Sequence, residues 1–283
     1  EHTFTGVCFQ GDSEHNFLAS GTDGVVRVFD QRNTARPIHA IKCTEGEEEV
    51  NGIWAHPSKH FVAATDDTGA VSVLDPRQGK VFKRLPAGQR AHTLMTTAAA
   101  FLPNQRWEVF TAGMDCHVVR WLYSKGRVLE KKHFVADSTP DPSADQGATQ
   151  GAEACSSPRA ASTSAASNSR MFNPPLVHHI AMDRSGTMLA TALGSGDVHV
   201  FDVVQAEAAR QRLQPRLVLT GKHTYDCSRV AFLGAAARPM LKQGKATKKA
   251  AHPSGSCSGQ PASLLASCGN DRRICIWDIA ASS

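Results

Sequence analysis

Short apolar runs broken by Gly, Asp and Thr recur along the chain. In the run Val71-Ser-Val-Leu-Asp75, Val71, Ser72 and Val73 alternate as expected of a half-buried strand. That run closes a longer phrase, Ala64-Thr-Asp-Asp67-Thr-Gly-Ala-Val-Ser-Val-Leu74-Asp75. Four worn copies of it follow the same plan: Ala19-Ser-Gly-Thr-Asp23-Gly-Val-Val-Arg-Val-Phe29-Asp30, Thr111-Ala-Gly-Met-Asp115-Cys-His-Val-Val-Arg-Trp121-Leu122, Thr191-Ala-Leu-Gly-Ser195-Gly-Asp-Val-His-Val-Phe201-Asp202 and Ser267-Cys-Gly-Asn-Asp271-Arg-Arg-Ile-Cys-Ile-Trp277-Asp278. Five copies of one phrase describe an architecture rather than an isolated motif.

The copies are spaced by about 45 residues twice and then by about 80 twice, a period of solenoids and propellers once the excess is removed. The excess is visible as two low-complexity stretches. From about 136 to 170 the chain is Ser, Ala, Thr, Asp, Gly and Pro; from about 235 to 262 it is Lys, Gly, Ala, Ser and Pro. Neither has the apolar residues to order itself. With them set aside, residues 1–283 read as a single all-β domain, a β-propeller with one four-stranded blade per repeat. In the second repeat Pro37–Lys42 is expected as an outer strand, Val50–Trp54 as an inner one, then Phe61–Thr65 and Val71–Asp75. Innermost strands are expected near Phe4–Phe9, Ala98–Leu102, Val177–Met182 and Arg229–Leu233. Asp67-Thr-Gly69 and Asp23-Gly24 supply the tight turns, since Gly takes the positive φ a hairpin needs.

These residues resemble the WD-repeat β-propeller family. Glu47-Glu-Glu-Val-Asn51, Ala64–Asp75, Ala112–Trp121 and Asn173-Pro-Pro-Leu-Val-His178 are also similar to one group within it. The resemblance spans nearly the whole chain apart from the two insertions. It implies that a loop His, a Ser or Thr, a turn Asp and the Trp form a buried hydrogen-bonded set in a blade. Two repeats hold all four: His92, Thr111, Asp115 and Trp121 in the third, and His223, Ser267, Asp271 and Trp277 in the fifth. Each polar group then finds a partner. Phe29, Leu74 and Phe201 cannot donate, and Ser195 replaces the turn Asp, so those blades are expected to rely on apolar packing. The family usually builds seven blades. The five visible repeats are therefore expected to be part of a seven-bladed ring, that is, a fragment; a compact five-blade ring is the alternative.

A second implication concerns the turns after the phrase, which read Phe29-Asp30-Gln-Arg32 and Leu74-Asp75-Pro-Arg77. An Arg two residues after the Asp resembles the docking box with which WD-repeat substrate receptors of the cullin-4 ubiquitin ligase contact their adaptor, damage-specific DNA-binding protein 1. Arg suits an interface because its rigid fork makes paired hydrogen bonds. Asp30 and Asp75 are expected to orient Arg32 and Arg77 from the same turn. An exposed turn Arg that only solubilises is the plainer account.

Charge changes this picture little. The net charge is +5, and no apolar run is long enough to span a membrane. Glu45 to Glu49 holds four acids on one loop, read as solvated or as a dock for a basic peptide. Lys242, Lys245, Lys248 and Lys249 form a loose basic run in the second insertion, read as a solvated loop or as a nucleic-acid contact. The eight cysteines have no zinc-ligand spacing, so they read as small packing residues in a reducing compartment. Cys8, Cys116, Cys268 and Cys275 are expected inside strands. His178 and His179 are neighbours on a strand and point to opposite faces, a poor metal pair. No hydrolase, metalloprotease or phosphate-loop motif is present. The sequence thus leads to a non-catalytic, monomeric interaction scaffold without a cofactor, in cytoplasm or nucleus, with other proteins as partners and the cullin-4 adaptor as the sharper candidate. A chromatin- or nucleic-acid-associated module is the alternative, and an enzyme the third.

Overall fold

A computed structural model describes residues 3–134, 174–204, 213–233 and 264–279. The two low-complexity stretches, the basic run at Lys242–Lys249, Cys155, Cys257 and the last residues of the fifth repeat lie outside them. The described residues form five antiparallel sheets and no helix. The first sheet contains β1 (Phe4–Phe9), β2 (Asn16–Gly21), β3 (Val25–Asp30) and β4 (His39–Lys42). The second contains β5 (Val50–Ala55), β6 (Val62–Asp66), β7 (Val71–Asp75) and β8 (Lys80–Leu85). The third contains β9 (Thr96–Phe101), β10 (Glu108–Gly113), β11 (His117–Leu122) and β12 (Arg127–His133). The fourth contains β13 (Val177–Met182), β14 (Met188–Leu193), β15 (Val198–Val203) and β16 (Leu213–Leu219). The fifth has three described strands, β17 (Cys227–Leu233), β18 (Leu264–Gly269) and β19 (Ile274–Asp278).

Each sheet is a meander in chain order, so every strand turns back on its predecessor. One expectation shifts as a result. The segment read as the outer strand of the second repeat closes the first sheet, because His39–Lys42 pairs with β3; Lys80–Leu85 closes the second. The sequence repeat is offset by one strand from the blade, since local antiparallel pairing needs only a turn.

The sheets stack as blades, with β1, β5, β9, β13 and β17 innermost and each beside the next. Four apolar layers fill the seams. Val26, Val28 and Ile41 meet Ile53, Val62 and Leu74 between the first and second blades. Val73 and Leu85 meet Ala99, Val109 and Trp121 between the second and third. Phe110 and Val118 meet Ile180, Leu189 and Phe201 between the third and fourth. Val198 and Val200 meet Val230 and Leu265 between the fourth and fifth. Where a blade is covered on both sides its middle strands lose their alternation: every residue of β7 and of β14 is buried. Two-sided cover favours such continuous apolar or small-residue runs.

The innermost strands share a feature that no residue type announces. Each carries a register shift at its second residue: Thr5, Asn51, Thr97, His178 and Ser228. The extra residue is freed from its own ladder and, in three blades, bonds to the next one. The Thr5 hydroxyl donates to the Val50 carbonyl, Asn51 Nδ2 to the Thr96 carbonyl at 3.5 Å, and the Thr97 hydroxyl to the Val177 carbonyl at 2.6 Å. At the fourth seam His178 Nε2 instead lies 4.0 Å from the Asp226 carboxylate.

Candidate interaction site

The meander sorts the loops by end. The β1–β2 and β3–β4 connections and their equivalents lie at one end of the blades; the β2–β3 and β4–β5 connections lie at the other. Arg32 and Arg77 follow β3 and β7 and so share the first end on adjacent blades. Glu45 to Glu49 follows β4 and sits at the opposite end.

Arg32 is held as the sequence suggests. Asp30 Oδ1 accepts the Arg32 backbone N–H and Nε–H, each at 2.9 Å, and Oδ2 accepts Nη2–H at 2.6 Å. The side-chain bond from Arg32, then its backbone bond, hold the Asp30 carboxyl down at about 2. The Arg32 side chain is 67% exposed, so the fork is oriented and still presented outward. Beneath it Phe29 stacks on Phe17 at 5.2 Å.

Arg77 is held differently, which corrects the expectation that Asp75 orients it. Asp75 is buried, and its Oδ1 accepts the backbone N–H groups of Arg77 at 3.0 Å and Gln78 at 3.2 Å. Its other oxygen lies 3.6 Å from His60 Nε2. With that carboxylate committed to the turn, the guanidinium crosses the seam and pairs with Asp12 in the β1–β2 loop. Asp12 is fixed by Gln10 Nε2–H at 2.7 Å and lies 4.0 Å from His60 Nδ1. Asp12 and His60 were missed from sequence because their partners are remote in the chain and each looks like an ordinary loop residue.

The two four-residue sets form as spaced. In the third blade His92 Nδ1 lies 3.0 Å from Asp115 Oδ1 and His92 Nε2 lies 2.8 Å from Thr111 Oγ1; Trp121 Nε1–H donates to the same hydroxyl at 2.9 Å. In the fifth, His223 Nδ1 lies 3.1 Å from both Asp271 oxygens and Nε2 lies 2.8 Å from Ser267 Oγ; Trp277 Nε1–H donates to that hydroxyl at 2.8 Å. A proton on each His Nδ1 lets the chain of donors run from indole to hydroxyl to imidazole to carboxylate with none left over. Burial pushes Asp115 and Asp271 up, but the His bonds and backbone N–H bonds outweigh it and both carboxyls fall below their ordinary range. Both His rings are buried, which suits a blade brace rather than a site open to substrate.

Each described blade has a positive-φ residue in this turn, directly after Asp23, Asp115, Ser195 and Asp271 and three residues after Asp66. Gly24, Gly69 and Gly196 take it in three; Cys116 at 60° and Arg272 at 61° take it in the blades with the full set. Cys116 therefore sits in a turn, not inside a strand as expected. The blades lacking Trp also depart from plain apolar packing. In the second, Asp66 rather than Asp67 makes the turn bonds, and Arg84 joins Asp66 at 3.1 Å to Ser72 Oγ at 3.3 Å and the Cys43 carbonyl at 2.6 Å. In the first, Arg27 pairs with Asp23 and Thr5 with Ser20. A hydrophobic residue in place of Trp leaves the strand-end polar groups needing partners, and Arg supplies them.

His178 and His179 both reach the fifth blade rather than parting to opposite faces, because the register shift at His178 interrupts the alternation of the strand. His178 faces Asp226, and His179 Nδ1 accepts the Val230 N–H at 3.5 Å across the fourth seam. Burial, then the charge of Arg229, push His179 down to about 4. Cys43 and Cys227 are buried thiols pushed up to about 12 by burial; Cys8, Cys268 and Cys275 are half-buried in strands. Among the described residues no cluster of His, Cys, Asp and Glu is disposed to hold a metal. Glu45 bonds Arg84 Nε at 3.2 Å beside a shallow groove of about 390 Å³ that Thr68, Pro86 and Ala87 also line.

Comparison with known proteins agrees with this geometry. The family model described as "WD domain, G-beta repeat" matches residues 1–30 and 250–278. A WD repeat-containing protein 53 homolog from Dictyostelium discoideum is 24% identical over 199 residues, covering 70% of this chain and 49% of that protein. The chain therefore spans about half the length of this curated relative. The relative carries the name of the group whose pattern the Glu47–Asn51, Ala64–Asp75 and Ala112–Trp121 segments resemble.

Proposed function

This chain is a WD-repeat protein, a fold whose domains serve as protein-interaction scaffolds, and from that premise we propose that it acts without catalysis as a substrate receptor of a cullin-4 ubiquitin ligase. The observation that carries the reading is Arg32. Its guanidinium is locked to Asp30 through two nitrogens, yet most of the side chain is exposed at the end of a blade. A preoriented guanidinium loses little freedom on binding, and its remaining Nη N–H groups can donate to a partner's carboxylate or carbonyl in a fixed direction. Arg77, on the adjacent blade and 61% exposed, gives the same end a second cation anchored to Asp12. The proposed adaptor docks across these two turns, the other end of the blades is left for a substrate, and the protein works in the cytoplasm or nucleus.

Arg32→Ala and Arg77→Ala, singly and together, test the reading. Binding of purified damage-specific DNA-binding protein 1 is expected to fall about tenfold or more for the pair, as for hot-spot arginines, with the melting temperature unchanged. Undiminished binding by the folded double variant overturns it.

A further inference from the structure

The net charge of +5 conceals a separation by end. At the Arg77 end, the connections of the second, third and fourth blades carry Lys59, Lys80, Arg106, Lys125, Arg127 and Arg184, all exposed. Among the described residues the same connections and the strand ends beside them hold four acids: Asp75 and Asp183, both buried, Glu108, largely covered and paired with Arg120, and Asp202, paired with Arg216. Asp75 caps its own turn, and Asp183 accepts the backbone N–H groups of Ser185, Thr187 and Met188. Of the four only Asp202 is substantially exposed, and it is paired with Arg216. None of the six cations makes an ion pair among the described residues. At the other end the exposed loop charges are acidic around the second blade, with Glu45, Glu47, Glu49 and Asp67, and mixed beyond it, where Arg90, Lys222, Arg272 and Arg273 are also exposed.

An aromatic pair stands in the middle of the basic end. Phe82, 37% exposed, stacks on Trp107 with ring centres 5.8 Å apart, and the Arg106 guanidinium lies 4.5 Å above the Trp107 ring. Phe61 and Tyr123 back the pair, and the Tyr123 hydroxyl donates to the Arg106 carbonyl. The rings are thus fixed before any partner arrives. A rigid aromatic ringed by arginine and lysine is the composition of interface anchors.

We infer that this end of the second to fourth blades is a docking face for an acidic protein segment that also carries apolar side chains. The inference deepens the reading of the chain as a protein-binding scaffold and rests on it. Carboxylates of the segment meet the six cations, and an apolar side chain covers Phe82. The acidic loop from Glu45 to Glu49, at the far end of the second blade, repels the same segment and so favours the basic face. A nucleic acid fits less well. Single strands are held by open aromatic platforms on which bases stack, whereas Trp107 already has Phe82 against it and Arg106 over it, leaving only the exposed part of Phe82.

The test is fluorescence anisotropy with three probes: a Glu/Asp-rich peptide carrying leucines, an all-Glu peptide and an oligo-dT strand. The triple variant Arg106→Glu, Lys125→Glu, Arg127→Glu is expected to weaken the leucine-bearing peptide by about tenfold at physiological salt, where rim charges are partly screened. Phe82→Ser should weaken that peptide several-fold and leave the all-Glu peptide unaffected. Glu45→Lys with Glu47→Lys, at the far end, should leave the peptide's affinity within about twofold. If the triple variant does not fold, Lys59→Glu with Arg184→Glu replaces it. Unchanged peptide affinity in a folded variant overturns the inference. So does oligo-dT binding tighter than the peptide and lost in the same variant, or self-association that the variant abolishes. Arg32 and Arg77 are untouched throughout, so adaptor binding is expected to survive the triple variant. Loss of peptide binding with adaptor binding retained, or the reverse with Arg32→Ala, separates failure of one reading from failure of the other.

Discussion

The third and fifth blades hold equivalent sets of His, hydroxyl, Asp and Trp in the same hydrogen-bonded order: His to Asp at 3.0 and 3.1 Å, His to hydroxyl at 2.8 Å in both, and Trp to hydroxyl at 2.9 and 2.8 Å. Their surroundings differ. Trp121 is 2% exposed between two neighbouring sheets, whereas Trp277 is half-buried and Ile274 and Ile276 of its strand are 75% and 44% exposed. The first blade resembles the fifth, with Val7 and Phe9 more than half exposed on β1. The four-residue set is therefore a local device that forms whether or not the blade is covered. What it contributes depends on cover, because a hydrogen bond matters most where water cannot replace it.

Three sets of substitutions press on that difference. The largest effect is expected from Trp121→Ala, about 3–5 kcal/mol, since it removes a sealed ring and leaves a cavity. Trp277→Ala should cost less, because that ring is only partly buried. Urea unfolding compares the totals, and hydrogen exchange of β11 and β19 shows whether the loss stays within the blade. Equal costs would mean that cover does not set the value of the set.

The next effect concerns the seam that attaches the fifth blade. His179 is held down to about 4, against an ordinary value of 6.5. Between those values the unfolded chain binds a proton that the folded chain refuses, so stability falls as pH drops from about 6.5 towards 4. His179→Gln keeps an acceptor for the Val230 N–H and cannot protonate. Its urea midpoint is expected to change less with pH than the parent's over that window. Parallel curves would remove His179 from the account.

The smallest effect is expected where the two blades are alike. Cys116→Gly and Arg272→Gly each replace a side chain at positive φ with the residue that adopts it freely. Each should stabilise by a few tenths to about 1 kcal/mol, the strain relieved less the added freedom of the unfolded chain. Similar gains in both blades, read by thermal melting, would mark the turn as local; a gain in one alone would show that cover reaches the turn too.

Much of the fold was legible because it is written in local terms. Alternation gave the strands, Asp-Gly and related pairs gave the turns, and Val177–Met182 has its expected bounds. The His, hydroxyl, Asp and Trp sets were legible because each fits within one repeat. Three things were not. The blade boundary slid by one strand, because period fixes the length of a unit and not where it begins. Arg84 took over the polar work of the second blade, which no residue in Leu74's place foretells. Arg77 turned to Asp12 rather than Asp75, because Asp75's capacity was already used by the turn that presents Arg77.

The sequence alone determined the repeat, the strands, the turn acids and the position of Arg32 beside Asp30, all of them interactions between residues close in the chain. Only the tertiary structure decided which repeats are sealed, which bulged residues, from Thr5 to Thr97, reach the next blade, and how charge divides between the two ends. Those outcomes depend on stacking sheets whose members are distant in sequence: burial and field are sums over neighbours, and neighbours across a seam are set by the fold rather than by the order of residues.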